Sequence, residues 1–213
     1  MARRRIGSFP VASGKVVELA YATAEKRQAL GRAVRRWGDA LRSGANPVKL
    51  DAVELANLAF RRWCEGLSKR RIAGTLQDIK DHIQDNPHAE VSVLLLARAS
   101  WLRHRSLVGL CHFRRTWANN LFIDFLAAHP SIAGERESPL GGLGTGMLHH
   151  IMVVAEEIHA GAIWGEATQN SVWFYRKIFE RPEMGDLIYL APPEYAAFRK
   201  KVEEKWRSGV KSA

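Results

Sequence analysis

Leu140-Gly141-Gly142-Leu143-Gly144-Thr145-Gly146 is the stretch on which the fold class turns. Glycine lets backbone N–H groups approach a ligand closely. A helix start offers unpaired N–H donors at the positive end of its dipole. The apolar positions that follow, Met147, Leu148, Ile151, Met152, Val154, Ala155 and Ile158, have helical spacing and close at Gly161. The run therefore opens a helix and forms a ready cradle for a phosphate.

Upstream lie three extended segments: Val91–Ala97, Leu107–Arg115 and Leu121–Ala127. Asn119-Asn120 offers a turn before the third, and a polar loop, Pro130–Leu140, joins it to the glycines. Downstream, a short strand at 162–167, a helix at 170–180, a strand at Leu187–Leu190 and a terminal helix from Pro193 to Trp206 complete the order. No internal repeat is present. The pattern fits a mixed α/β or α+β sheet domain.

Before residue 88 the period is helical. Leu30, Val34, Trp37 and Leu41 share one stripe, with Arg32, Arg35, Arg36 and Arg42 on the far side. This predicts a basic amphipathic helix from Thr23 to Ser43. A second helix starts at Asp51 with Glu54 three residues on, and a third carries Ile72, Leu76, Ile79 and Ile83. Three regions follow: a basic mobile tail over 1–20, a basic helical region over 21–87, and a sheet core over 88–213. The net charge is +10, and residues 1–75 hold 16 Lys/Arg against 6 Asp/Glu. All of the excess thus sits in the first third. It marks an RNA or an acidic partner as candidates at the arginine face, beside a plain solvated face. Cys64 and Cys111 define neither a disulfide framework nor a metal-ligand spacing, so a reducing cytoplasm and no metal are expected. No apolar run has the length needed to span a bilayer.

Two phosphate-binding motifs can be weighed first. A P-loop needs Lys-Ser or Lys-Thr after its glycines, and none follows here. A Rossmann fingerprint finds its first two glycines at Gly142 and Gly144, but Met147 takes the third place. Glu166, twenty residues after Gly146, keeps that nicotinamide alternative open.

The second half resembles the GNAT superfamily of acyl-CoA-dependent N-acyltransferases over residues 90–190. The residues that carry the resemblance are the strand Leu121–Ala127 with Ala128-His129-Pro130, then Gly142 to Leu148, Ile163 to Ala167, and Asn170 with Phe174-Tyr175-Arg176-Lys177-Ile178-Phe179. The resemblance implies a mostly antiparallel central sheet with two splayed parallel strands. It implies acetyl-CoA or another acyl-CoA as co-substrate, held by Ala127, Ala128, Gly142, Leu143, Gly144, Thr145, Gly146 and Asn170. Two departures stand out: Gly141 replaces the usual Gln or Arg, and Ile178 runs straight to Phe179 where Gly-Phe is common.

Acyl transfer to an amine needs a neutral nucleophile, a polarised carbonyl and a protonated leaving thiolate. A lysine-type amine is neutral about once in 2,500 molecules at pH 7 and needs a base. Tyr175 matches the family tyrosine by position and is the candidate general acid; packing is its other reading. Asn170 is a coenzyme contact or a helix N-cap. Asp124 sits mid-strand and, by strict alternation, shares a side with Phe122 and Leu126. Asp124 or Glu166 is the candidate base, with a salt bridge to Arg114 or Arg115 as the alternative for Asp124. The function expected is N-acetyl transfer to a primary amine of open class, in an assembly of open size. A non-catalytic acyl-CoA, nucleic-acid or protein-binding module on the same fold is the alternative.

Overall fold

The structure is a computed structural model that describes residues 6–43, 46–102, 106–135 and 137–210, with the side chains of Arg42, Ser43 and Val210 outside the description. Seven strands form one sheet in the order of the chain: β1 (Gly7–Pro10), β2 (Val16–Tyr21), β3 (Val91–Arg98), β4 (Leu107–Arg115), β5 (Leu121–Ala128), β6 (Ile163–Glu166) and β7 (Leu187–Leu190). Every neighbouring pair is antiparallel except β5 and β6. The helices are α1 (Arg27–Arg35), α2 (Pro47–Ser68), α3 (Leu76–Asp85), α4 (Leu143–Glu157), α5 (Val172–Phe179) and α6 (Pro192–Val210). The α/β class and the single parallel pair are those expected. No described helix is long and apolar enough to cross a membrane.

Alternation along the central strands divides two cores. Leu94, Leu96 and Leu110 face α1 and α2, where Leu30, Val34, Trp37, Ala56 and Trp63 meet them. Leu95, Cys111 and Phe113 face the other way, onto α4 with Met147 and Ile151, α3 with Ile79, and α6 with Phe198 and Val202. The sheet is thus sandwiched between two helical layers, and one sheet serves both.

Residues 7–20 are not a tail. Val17, Leu19 and Tyr21 alternate inward on β2, and that strand pairs with β3 through Leu19↔Ala97 and Tyr21↔Leu95. Phe9 of β1 is buried to 2 % exposure against α4. Residues 1–5 lie outside the described residues. The helical region 21–87 is likewise part of the same fold, because α2 packs directly on β3, β4 and β5. The basic helix is shorter than its pattern: α1 ends at Arg35, and a 3-10 turn, Gly38–Ser43, continues the stripe. Asn46 rather than Asp51 caps α2, accepting from the Lys49 amide at 2.9 Å, with Pro47 at the first helical position.

Two local features shape the site. Pairing of β4 with β5 skips Asp124: Phe113 faces Ile123 and His112 faces Phe125. Asp124 is the extra residue of a β-bulge, which bends its strand. Pairing of β5 with β6 ends at Ile123↔Gly165. Gly165 permits the last close approach, since a Cβ there would lie 2.8 Å from the Ile123 carbonyl oxygen. Beyond that point the two parallel strands part.

Candidate coenzyme cleft and acceptor face

A cleft of about 860 Å³ opens where β5 leaves β6. Its floor includes Leu126, Ala127 and Ala128 of β5; its walls come from the start of α2, the glycine run, α5 and α6. Of the residues expected to hold the coenzyme, Ala127, Ala128, Gly142, Leu143, Gly144, Thr145 and Asn170 line it.

The glycines divide by task. Gly142 is the N-cap of α4 with φ +92°, a left-handed conformation that L side chains rarely adopt. The amides of Leu143 and Gly146 are already bonded, to Leu140 O and Gly142 O. Those of Gly142, Gly144 and Thr145 find no acceptor among the described residues. Gly144 also admits Phe174, whose ring would lie 2.7 Å from a Cβ. Gly146 corrects the sequence reading: it is buried, does not line the cleft, and faces the Phe9 ring, with 2.3 Å left for a Cβ. Gly141 abuts Ala12, so a Cβ would already crowd it at 2.9 Å.

Sequence reasoning overlooked the cations of this cleft. Lys177 of α5 and Lys201 and Lys205 of α6 line it, and Lys201 pairs with Glu180. Lys201 and Lys205 are four apart and share a helix face, which was the available signal. Asp51 was also missed as a cleft residue. Its carboxylate accepts from Asn170 Nδ2 at 2.9 Å and Thr168 Oγ1 at 3.3 Å, which ties α5 to α2 across the cleft. Asn170 is therefore not the N-cap of α5; Ser171 holds that place, and its Oγ accepts from the Thr168 amide.

Tyr175 lines the inner end, is 5 % exposed, and stacks on Phe179 with T-shaped contact to Phe174. Burial raises its phenol well above the ordinary tyrosine value, with the nearby Cys111 adding to the rise. The phenol therefore stays protonated, as a donor must.

The candidate bases stand on the α2 side of the sheet, at the fork. Asp124 accepts from Arg114 Nε at 3.1 Å and from His112 Nδ1 at 3.0 Å, and Arg114 Nη1 also donates to Glu90 at 2.7 Å. The salt-bridge alternative thus holds for Arg114. Arg115 instead donates to Asn119 and to the Ala89 carbonyl. The bulge also breaks the expected alternation: Leu126 packs in the α4-side core while Phe125 packs toward α2. Glu166 follows the last β5–β6 pair, on the face of Trp164, and is exposed. Its carboxylate has no ion pair or hydrogen-bond partner among the described residues. Arg32, Arg35 and Arg36 are exposed on the outer face of α1; the Arg42 side chain lies outside the described residues.

No protein-family model and no curated protein sequence matches the chain. Solved structures do match. The GNAT domain of PAT from S. lividans is 11% identical, with a TM-score of 0.48 over 86% of this chain and 94% of that one. An acetyltransferase from Brucella melitensis, solved with acetyl-CoA, is 10% identical, with a TM-score of 0.45 over 82% of this chain and 87% of that one. These neighbours are GNAT-family acetyltransferases. Nourseothricin acetyltransferase is 20% identical, with a TM-score of 0.33 over 40% of this chain, which spans about half (48%) of that protein. The likeness is one of fold.

Proposed function

We propose that the protein is an acyl-CoA-dependent N-acyltransferase, with acetyl-CoA as donor and a primary amine as acceptor. The observation that carries this is the set of amides at Gly142, Gly144 and Thr145, without acceptors among the described residues, on the wall of a cleft that begins where two parallel strands part. Three amides at a helix start suit a pyrophosphate, and Lys177 and Lys205 add charge for further phosphate. The missing Gln or Arg at Gly141 is compatible with this, since the backbone supplies the donors.

In this reading the thioester supplies the acyl group. The amine nitrogen attacks its carbonyl carbon, the C–N bond forms, and the C–S bond breaks. Amides of β5 released beyond the fork polarise the carbonyl oxygen. Tyr175 donates its phenol proton to the leaving thiolate. Glu166 takes the proton that the amine loses, directly or through a water. Asp124, whose carboxylate is already engaged by Arg114 and His112, keeps the bulge in place.

Calorimetric titration with acetyl-CoA, followed by thiol release on a panel of amines, tests the proposal. Saturable binding with turnover is expected, and Tyr175→Phe should lower kcat by about 10²-fold or more with little change in coenzyme affinity. A blank titration refutes it. Binding without turnover on any amine leaves the non-catalytic acyl-CoA module.

A further inference from the structure

On the α2 side of the sheet, register builds a row across four strands: Arg114↔Phe122, Phe122↔Trp164 and Trp164↔Tyr189. The next row places Glu166 opposite Leu187. The rings of Phe122 and Trp164 touch, with centroids 4.2 Å apart. Helix α2 covers β3, β4 and β5 but makes no comparable contact with β6 or β7. The outer part of the row therefore lies open: Tyr189 is 53% exposed and Leu187 57%.

This row already carries one cation. The Arg114 guanidinium lies 4.9 Å from the Phe122 ring centroid, while its own charge is matched by Asp124 and Glu90. Trp164 and Tyr189 repeat the same π surface one and two strands on. The Glu166 carboxylate shares their face and lacks a partner among the described residues, while Glu183 lines the hollow at Leu187 and Tyr189, where Arg181 is matched by Glu194. Aromatic faces beside an unmatched carboxylate are complementary to a soft organic cation, not to an anion or a neutral apolar surface.

We propose that Trp164, Tyr189 and Glu166 form the binding face for the acceptor, and that the acceptor arrives as an aliphatic ammonium. As an acceptor site this rests on the function proposed above; as a cation site it does not. The protonated amine is held over the rings next to the fork. Its first proton passes to the Glu166 carboxylate, and the exposed acid so formed releases it to solvent; the neutral nitrogen then stands at the strand parting, and Glu166 is again a carboxylate for the second proton, lost on attack. Acidic amines and amines inside bulky anionic groups are excluded by Glu166.

Choline and its uncharged carbon isostere, 3,3-dimethylbutan-1-ol, separate charge from shape. Both are titrated into the full chain by calorimetry and tried as competitors of amine acylation. Choline is expected to bind about tenfold tighter than the alcohol and to compete with the amine, not with acetyl-CoA. Tyr189→Ala and Glu166→Gln should each weaken choline about fivefold. Tyr189 is exposed, so its variant folds independently of this role. Equal binding of the two probes, or choline binding untouched by both variants, overturns the proposal. A concentration-dependent dimer that Tyr189→Ala dissolves also overturns it, giving the face to a second copy. Choline binding with a blank acetyl-CoA titration sinks the acyltransferase reading and spares the cation site; acylation without choline binding does the reverse.

Discussion

Replacing Gly146 by alanine separates a packing glycine from a ligand-binding one. The new Cβ would lie 2.3, 2.4 and 2.5 Å from Phe9 Cδ2, Cε2 and Cγ. Carbon atoms in contact prefer about 3.5–4.0 Å, so the ring must retreat by more than about 1 Å. It has little room: Phe9 is 2% exposed and stacks on Trp206, with centroids 6.0 Å apart. Overpacking of this kind costs about 3 kcal/mol at the upper end of its usual range. The gain in helix propensity from glycine to alanine offsets about 1 kcal/mol of that. A net loss of about 2 kcal/mol lowers Tm by roughly 4–8 °C in a chain of this size. Thermal unfolding by circular dichroism measures it, with acetyl-CoA affinity measured at a temperature where the variant is fully folded. Phe9→Leu in the same chain should recover part of the loss, giving a coupling above about 0.5 kcal/mol in a double-mutant cycle. An unchanged Tm together with lost coenzyme binding would refute the packing argument and return Gly146 to the phosphate cradle.

Three further outcomes are expected. Burial holds the His150 imidazole at about 4, with the neighbouring His149 adding to the depression, and the Tyr21 hydroxyl and His150 Nε2 share a hydrogen bond of 2.9 Å. Because the folded value lies below the unfolded one of about 6.5, this stability is intact above pH 6.5; it falls by up to about 3 kcal/mol as pH drops toward 4. Urea titrations between pH 7 and 4 should show that loss, and His150→Gln should flatten it. Asp51→Ala removes the tie to Asn170 and Thr168; acetyl-CoA should dissociate several-fold faster in stopped flow, with a stability loss of about 1–2 kcal/mol, and an unchanged off-rate would remove Asp51 from the cleft's closure. Changing Arg32, Arg35 and Arg36 together to Gln should reduce affinity for a single-stranded RNA and lower the salt slope by about 2; an unaltered slope would leave that face without an RNA partner.

The elements that strict local pattern defines were legible. Strands Leu107–Arg115 and Leu187–Leu190 have the limits that composition and turn residues indicate. The stripe Leu30, Val34, Trp37 is buried as its spacing implies. The first hairpin was hidden, although Val17, Leu19 and Tyr21 alternate. Lys15, Glu18 and Pro10 gave the segment the look of a solvated tail, and its partner β3 lies some seventy residues on. The bulge at Asp124 was not legible at all, because an extra residue exists only relative to the strand beside it. The same holds for the glycines. What fills the space at Gly144 and Gly146 is Phe174 and Phe9, and neither ring can be inferred from the glycine run itself.

The stack of Phe9 on Trp206 joins the first strand to the last helix, and Gly7 lies beside His150 on α4 between them. Those partners are separated by about two hundred residues of chain. On a ribosome, β1 emerges before the other elements of this fold and must wait for α6 before its aromatic ring is fully covered. Such long-range closure slows folding and leaves an apolar strand open meanwhile. The junction of β1 with α6 is therefore among the last contacts of this fold to form, and Trp206 fluorescence reports on it.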